Sequence, residues 1–163
     1  MSLSPFLACV LLTALLLLPG ALAQAADFFR YAVIELPVSQ LRPEKPWHRV
    51  ISTQAEWESF YRELAGPSAQ VPAIDFAQYR VVAGGLGLQH ISTYLTVDTI
   101  GNDGSKVYVG VFVATAAPGC VTLAAMGYPT IAIVIPQSTL PVVVSATRAT
   151  YECAGASSTP ATR

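Results

Sequence analysis

The hydrophobic pattern is organised around two alternating runs that flank a turn. Residues 91–100 read Ile-Ser-Thr-Tyr-Leu-Thr-Val-Asp-Thr-Ile, residues 105–115 read Ser-Lys-Val-Tyr-Val-Gly-Val-Phe-Val-Ala-Thr, and Gly101-Asn102-Asp103-Gly104 lies between them. Alternating β-branched segments around Asn, Asp and Gly predict a β-hairpin. A two-residue Asp103-Gly104 loop would set Leu95 opposite Phe112 and separate the valines from the apolar positions across the ladder. A three-residue loop, Asn102-Asp103-Gly104 with Gly104 left-handed, pairs Val97 with Val109, Leu95 with Val111 and Thr93 with Val113. A one-residue slip turns every side chain over, so the register that gathers the aliphatics is the one predicted. It places Tyr94 opposite Phe112, Thr96 opposite Gly110 and Asp98 opposite Tyr108 on the other face.

Helical periodicity occurs once. Trp57, Phe60, Tyr61 and Leu64 fall at i, i+3, i+4 and i+7, a continuous apolar stripe. Thr53 and Glu56 before it form a Thr-x-x-Glu capping box. Glu58 and Arg62 are spaced to pair on the polar side, and Gly66-Pro67 ends the segment. The stripe is expected to lie on a sheet. If it covers the Tyr94/Phe112 face of the hairpin, that face is core; if not, it is an exposed aromatic patch of the kind that marks a binding surface.

Shorter runs complete the pattern. Residues 28–36 read as a strand closed by Pro37, residues 37–46 as a Pro-rich loop, and residues 47–51 as a short extended piece. Residues 79–87 begin as a Val-rich strand and loosen into Gly84, Gly85 and Gly87. No helix follows those glycines, so they mark a bulge or close backbone approach rather than a nucleotide loop. Residues 116–129 form the longest irregular stretch. Residues 130–136 have no polar face and predict a central strand covered on both sides; residues 141–147 form the last firm strand. The sum is an α+β fold, mainly antiparallel β: a sandwich or open barrel of about six or seven strands with one packed helix at about 54–65.

Composition adds a compartment. Residues 6–18 are continuously apolar, then Pro19-Gly20 and Ala21-Leu22-Ala23 supply a break and a small-x-small cleavage site. This is the pattern of an export signal, too short for comfortable spanning at about 20 residues. No Lys or Arg precedes it, and an uncleaved anchor is the alternative to cleavage after Ala23 or Ala25. Residues 1–23 are therefore read as a signal peptide, 24–46 as an N-terminal strand and Pro-rich loop, 47–153 as the β domain and 154–163 as a loose tail. The implied location is periplasmic or secreted, without stable membrane insertion after cleavage. Net charge is −1 with no run of either sign, which gives no electrostatic case for nucleic acid. Of three cysteines, Cys120 and Cys153 survive cleavage, and two cysteines in an exported chain predict one disulfide.

Candidate chemistry is sparse. His48 and His90 stand in no H-x-H, H-E-x-x-H or C-x-x-C setting, so no metal or cofactor site is predicted. No Gly-x-Ser-x-Gly elbow is present, and Asp98 and Asp103 flank a turn rather than forming a paired-carboxylate site. The candidate binding residues are Gly87, Gln89, His90 and Tyr94 at the hairpin's edge, with Tyr108 and Phe112 on its aromatic face.

The order of local features resembles the PrcB C-terminal domain family of bacterial exported proteins. An opening helix bears Trp57, Asp75-Phe76 precedes a Val-Val strand, and a glycine-containing turn leads to a strand with Tyr94. A hairpin, Pro118-Gly119, and Tyr128-Pro129 before an Ile/Val strand ending at Pro136 follow. The likeness covers roughly residues 51–144. Where the family usually has Thr-Gly-Gly-Tyr, this chain has Ile91-Ser92-Thr93-Tyr94, without the glycines that reach positive φ easily. The family is named for an accessory subunit of a surface protease complex. The resemblance thus implies a non-enzymatic domain that binds or stabilises an exported or envelope protein, a protease among them. The alternatives are a small exported hydrolase with a site assembled around His48 or His90, and a protease inhibitor presenting residues 87–94.

Overall fold

A computed structural model describes residues 27–28, 31–37 and 41–153. The apolar leader, the tail and part of the predicted 28–36 strand lie outside the described residues. Two four-stranded sheets and a two-stranded ribbon account for the strands. The first sheet runs β1 (Asp27–Phe28), β6 (Tyr94–Asn102), β7 (Val107–Ala116), β10 (Val142–Tyr151). The second runs β2 (Ala32–Ile34), β9 (Thr130–Pro136), β4 (Tyr79–Gly85), β3 (Trp47–Ile51). The predicted first strand is therefore divided: β1 and β2 belong to different sheets.

Helix α1 (Gln54–Ala65) starts and stops where its local chemistry directs. Thr53, in extended backbone geometry, accepts the Glu56 amide on its hydroxyl at 3.2 Å. The Glu56 carboxylate in turn accepts the amides of Ser52 (3.0 Å) and Thr53 (3.2 Å), closing the capping box. Gly66 takes φ of 95° past the last turn, a region costly for other residues. Trp57, Phe60, Tyr61 and Leu64 are buried against Ile51, Val81, Ala83 and Ala132. Trp57 also satisfies its indole N–H on the Pro72 carbonyl at 2.9 Å. On the helix surface Arg62 pairs with Glu58 at 3.3 Å, and Arg49 reaches across from β3 to Glu63 at 2.9 Å.

The stripe thus covers the second sheet, not the aromatic face of the hairpin. Alternation explains the layering. Val81, Ala83 and Ala132 face the helix, whereas Val82, Ile133 and Ile135 join Val97, Ile100, Val107, Val109 and Val111 of the first sheet in a second core. The order is helix, second sheet, first sheet, and β9 is covered on both faces as its sequence predicts. Arg80 shares the inter-sheet side of β4 and is buried, with one bond from Nη1 to the Leu140 carbonyl at 3.0 Å. Removing its guanidinium from water lowers its pKa.

The hairpin differs from the predicted register. Asn102 pairs with Val107, Ile100 with Val109 and Thr99 with Gly110; then Asp98 is extruded, and Val97 pairs with Val111, Leu95 with Val113 and Tyr94 with Ala114. The connecting segment is Asp103-Gly104-Ser105-Lys106 rather than three residues. Its tip is built by Asp103, which accepts the Ser105 and Lys106 amides, with Gly104 at φ 80°. The bulge has a packing reason. Val97 and Ile100 lie an odd number of positions apart, so an unbroken strand would point them to opposite faces. One extra residue brings both into the core, where each is buried.

The last strand also departs from an all-antiparallel sheet. β10 pairs with β7 in parallel through ten consecutive residues, from Val142↔Val107 to Tyr151↔Ala116. It extends beyond the predicted 141–147 to carry the chain to Cys153.

Candidate functional site

At one end of the sandwich, β5 (Gln89–His90) and β8 (Met126–Gly127) form a small antiparallel ribbon. Gln89 stands opposite Gly127 and His90 opposite Met126, and the Ile91 amide bonds the Ala125 carbonyl at 2.9 Å. Glycines let this ribbon leave the sheet. A Cβ on Gly85 would lie 2.9 Å from Trp47 Nε1 and 3.0 Å from the Pro129 oxygen. At Gly87, φ is 76° and a Cβ would sit 2.7 Å from the Glu44 carbonyl oxygen. The predicted close backbone approach is realised at both positions. The 91–93 segment, which has no glycine, turns without any positive-φ residue.

Segment 117–125 is held to the sheets from two sides. Cys120 lies at disulfide bonding distance from Cys153, with Cα atoms 5.6 Å apart, and the Ala117 amide bonds the Tyr151 carbonyl at 2.9 Å. The segment nonetheless turns its apolar side chains outward. Val121 is completely exposed, Leu123 76 % and Met126 57 % exposed; Leu88, Ile91 and Tyr94 on the neighbouring segment are exposed as well. Six large apolar side chains therefore share one end of the molecule. Tyr94 packs at a tilt against Tyr151, ring centroids 5.6 Å apart, and the Tyr151 hydroxyl donates to the Ser92 carbonyl at 3.2 Å. Burial first, and then the adjacent Tyr94, push the Tyr151 phenol above its ordinary pKa.

The predicted residues divide into two groups. Gly87, Gln89, His90 and Tyr94 are together on or beside the ribbon. Tyr108 and Phe112 lie along β7 and neither stands directly opposite Tyr94: Tyr108 opposes Gly101 near the hairpin tip, and Phe112 opposes Thr96. The predicted Tyr94/Phe112 pair is thus replaced by Tyr94/Tyr151 because of the shifted register. Tyr108 donates to the Asp103 carboxylate at the hairpin tip. Val121, Leu123 and Met126 were not predicted; their signal was three bulky apolar residues within a stretch that has no strand or helix period.

His90 accepts the Ser92 amide on Nδ1 at 3.2 Å and lies 2.7 Å from the Ser92 hydroxyl. This is a turn-closing contact between residues two apart. Among the described residues no carboxylate bonds to His90 or to His48, and no group of three His, Cys, Asp or Glu side chains could hold a metal. No helix among the described residues is long and apolar enough to cross a membrane.

No family model matches the chain, and comparison with curated proteins and with solved structures finds no match.

Proposed function

We propose that this protein is an exported, non-enzymatic binding or accessory domain whose contact surface is the ribbon end. The observation that carries the reading is the apolar group Leu88, Ile91, Tyr94, Val121, Leu123 and Met126, exposed on paired segments. Leaving bulky apolar side chains in water forfeits about 25 cal/mol per Å², and contiguous patches on monomers commonly mark interaction sites. The leader-like residues 1–23 and the paired cysteines support export. The PrcB-like order of motifs supports another exported or envelope polypeptide, a protease in particular, as the partner class.

Affinity capture from envelope extract with the mature chain, followed by binding measurements with the purified partner, tests this reading. Leu123→Asp combined with Met126→Asp is expected to weaken binding about 30-fold or more, as for loss of an interface hot spot. Tyr108→Phe, at the hairpin-tip end of β7 where Tyr108 opposes Gly101, is expected to leave binding unchanged. A partner indifferent to the ribbon change, or substrate turnover by pure protein that one substitution abolishes, overturns the proposal.

A further inference from the structure

A second place is open to a ligand, and it is independent of the ribbon. β3 and β10 are the edge strands of their respective sheets. Between the sheets on this side lies a cavity of about 220 Å³ that reaches both strands. Its walls are aliphatic: Val82 and Ile133 from the second sheet, Leu95, Val111 and Val144 from the first. Small residues line it as well, Gly84 on β4 and Ala146 on β10. At the margin the lining changes character. His48 of β3 and Arg148 of β10 border the cavity and are exposed, as are Ser145 and Ala146. Val144, Ala146 and Arg148 follow at every second position of β10, so the strand's alternation carries one face from apolar wall to cationic rim. No carboxylate pairs with Arg148 or His48 among the described residues.

We infer that this cleft binds a medium-chain aliphatic carboxylate, its chain between the sheets and its carboxylate on Arg148, with His48 at the same rim. Volume and charge both select that class. The cavity exceeds the roughly 150 Å³ apolar void that admits benzene. At about 30 Å³ per water-sized group, 220 Å³ accommodates a chain of about seven such groups. Octanoate is of that length. A guanidinium presents a fork that matches a carboxylate, and a single unpaired arginine at the rim suits a monoanion. Moving an alkyl chain from water onto the aliphatic walls supplies the main drive, and the rim selects the head group.

Calorimetry and methyl chemical-shift mapping on the mature protein, using octanoate, butyrate, octan-1-ol and octylamine as probes, test the inference. Octanoate is expected to bind and to shift Val144 and Ala146. Butyrate, shorter by four methylenes, is expected to bind more than about a hundredfold more weakly for lost chain contact, and octan-1-ol about tenfold more weakly for the lost charged hydrogen bond. Arg148→Gln is expected to weaken octanoate about tenfold while leaving octan-1-ol unchanged, and Ala146→Leu, which fills the cavity, to weaken both. Both positions are exposed on an edge strand, and the four probes on unaltered protein separate the outcomes even without either variant. No octanoate binding, equal binding of octanoate and octylamine, or shifts confined to the ribbon overturns the inference. So does an extended valine-rich peptide that binds along β10 when octanoate does not, since the edge would then accept a strand rather than an amphiphile.

Discussion

Glu56, exposed, and Asp103, half-buried, are both carboxylates that act structurally as acceptors. Glu56 accepts the backbone amides of Ser52 and Thr53, and these hydrogen bonds, Ser52's first, lower its pKa. Asp103 accepts the Tyr108 hydroxyl, the Ser105 hydroxyl and amide, and the Lys106 amide. The Tyr108 bond above all, then those from Ser105, hold its carboxyl well below the usual range. A carboxyl acidified by folding binds its proton more readily in the unfolded chain, so stability falls with falling pH. The contribution is complete above the ordinary carboxylate pKa of about 4 and is lost as pH drops through the lower folded values. Urea midpoints measured between pH 6 and pH 2 should therefore fall, and less steeply in a Glu56→Gln, Asp103→Asn double variant. Equal slopes in the two proteins would mean that neither carboxylate is coupled to folding.

At the scale of elements, the helix and the hairpin show why one was legible in the sequence and the other only partly. Every determinant of α1 is local: Thr53 and Glu56 are three residues apart, the stripe spans Trp57 to Leu64, and Gly66 ends it. The strand type of β6 and β7 was equally plain, but their register was not. It depends on a bulge at Asp98 that reconciles Val97 and Ile100 with one core, and that core is completed by residues of the other sheet. The clue was present in the odd spacing of the two aliphatics. The parallel pairing of β10 with β7 and the outward turn of Val121 and Leu123 likewise answer to distant partners, not to local pattern. The ribbon residues Gly87, Gln89, His90 and Tyr94 were found from the edge of the hairpin, whereas the facing segment had no periodicity to reveal it. Deleting Asp98 leaves Val97 and Ile100 two positions apart, so unbroken alternation keeps both in the core and stability should change by less than about 1 kcal/mol. Deleting Gly110, opposite the bulge on β7, instead sets Val109 beside Val111 and turns one of them out of the core; at about 1.5–3 kcal/mol per fully buried aliphatic side chain, urea denaturation should show a loss of at least that size. Asp98→Ala keeps the extra residue and should change stability by less than about 1 kcal/mol, the surface expectation. Equal losses from deleting Asp98 and from deleting Gly110 would remove the bulge's role in setting faces.

For the molecule as a whole, the cysteine pair connects the edge of the first sheet to the segment that carries the ribbon's exposed apolar side chains. Cys153 follows β10 directly, Cys120 precedes β8, and 33 residues separate them. Closing a loop of that length restricts the unfolded chain by about 3–4 kcal/mol in the chain-entropy model. In the folded chain the link works beside few other restraints: the ribbon has two residue pairs, and the Cys120 amide bonds only the nearby Ala117 carbonyl. The two sheets, by contrast, have their own aliphatic core. Reduction should consequently act unevenly. A Cys120→Ser, Cys153→Ser variant is expected to lose about 3–4 kcal/mol of global stability, yet to retain the sheet cores under native conditions. Its amides in 120–127 should exchange with solvent far faster than those of β4, β7 and β9, because local opening there needs little surface to be exposed. Hydrogen exchange by mass spectrometry, with and without the link, reads both effects. Uniform acceleration across the chain would show that the pair stabilises the fold only globally; acceleration confined to 120–127 would make the link what keeps the apolar end in its outward geometry.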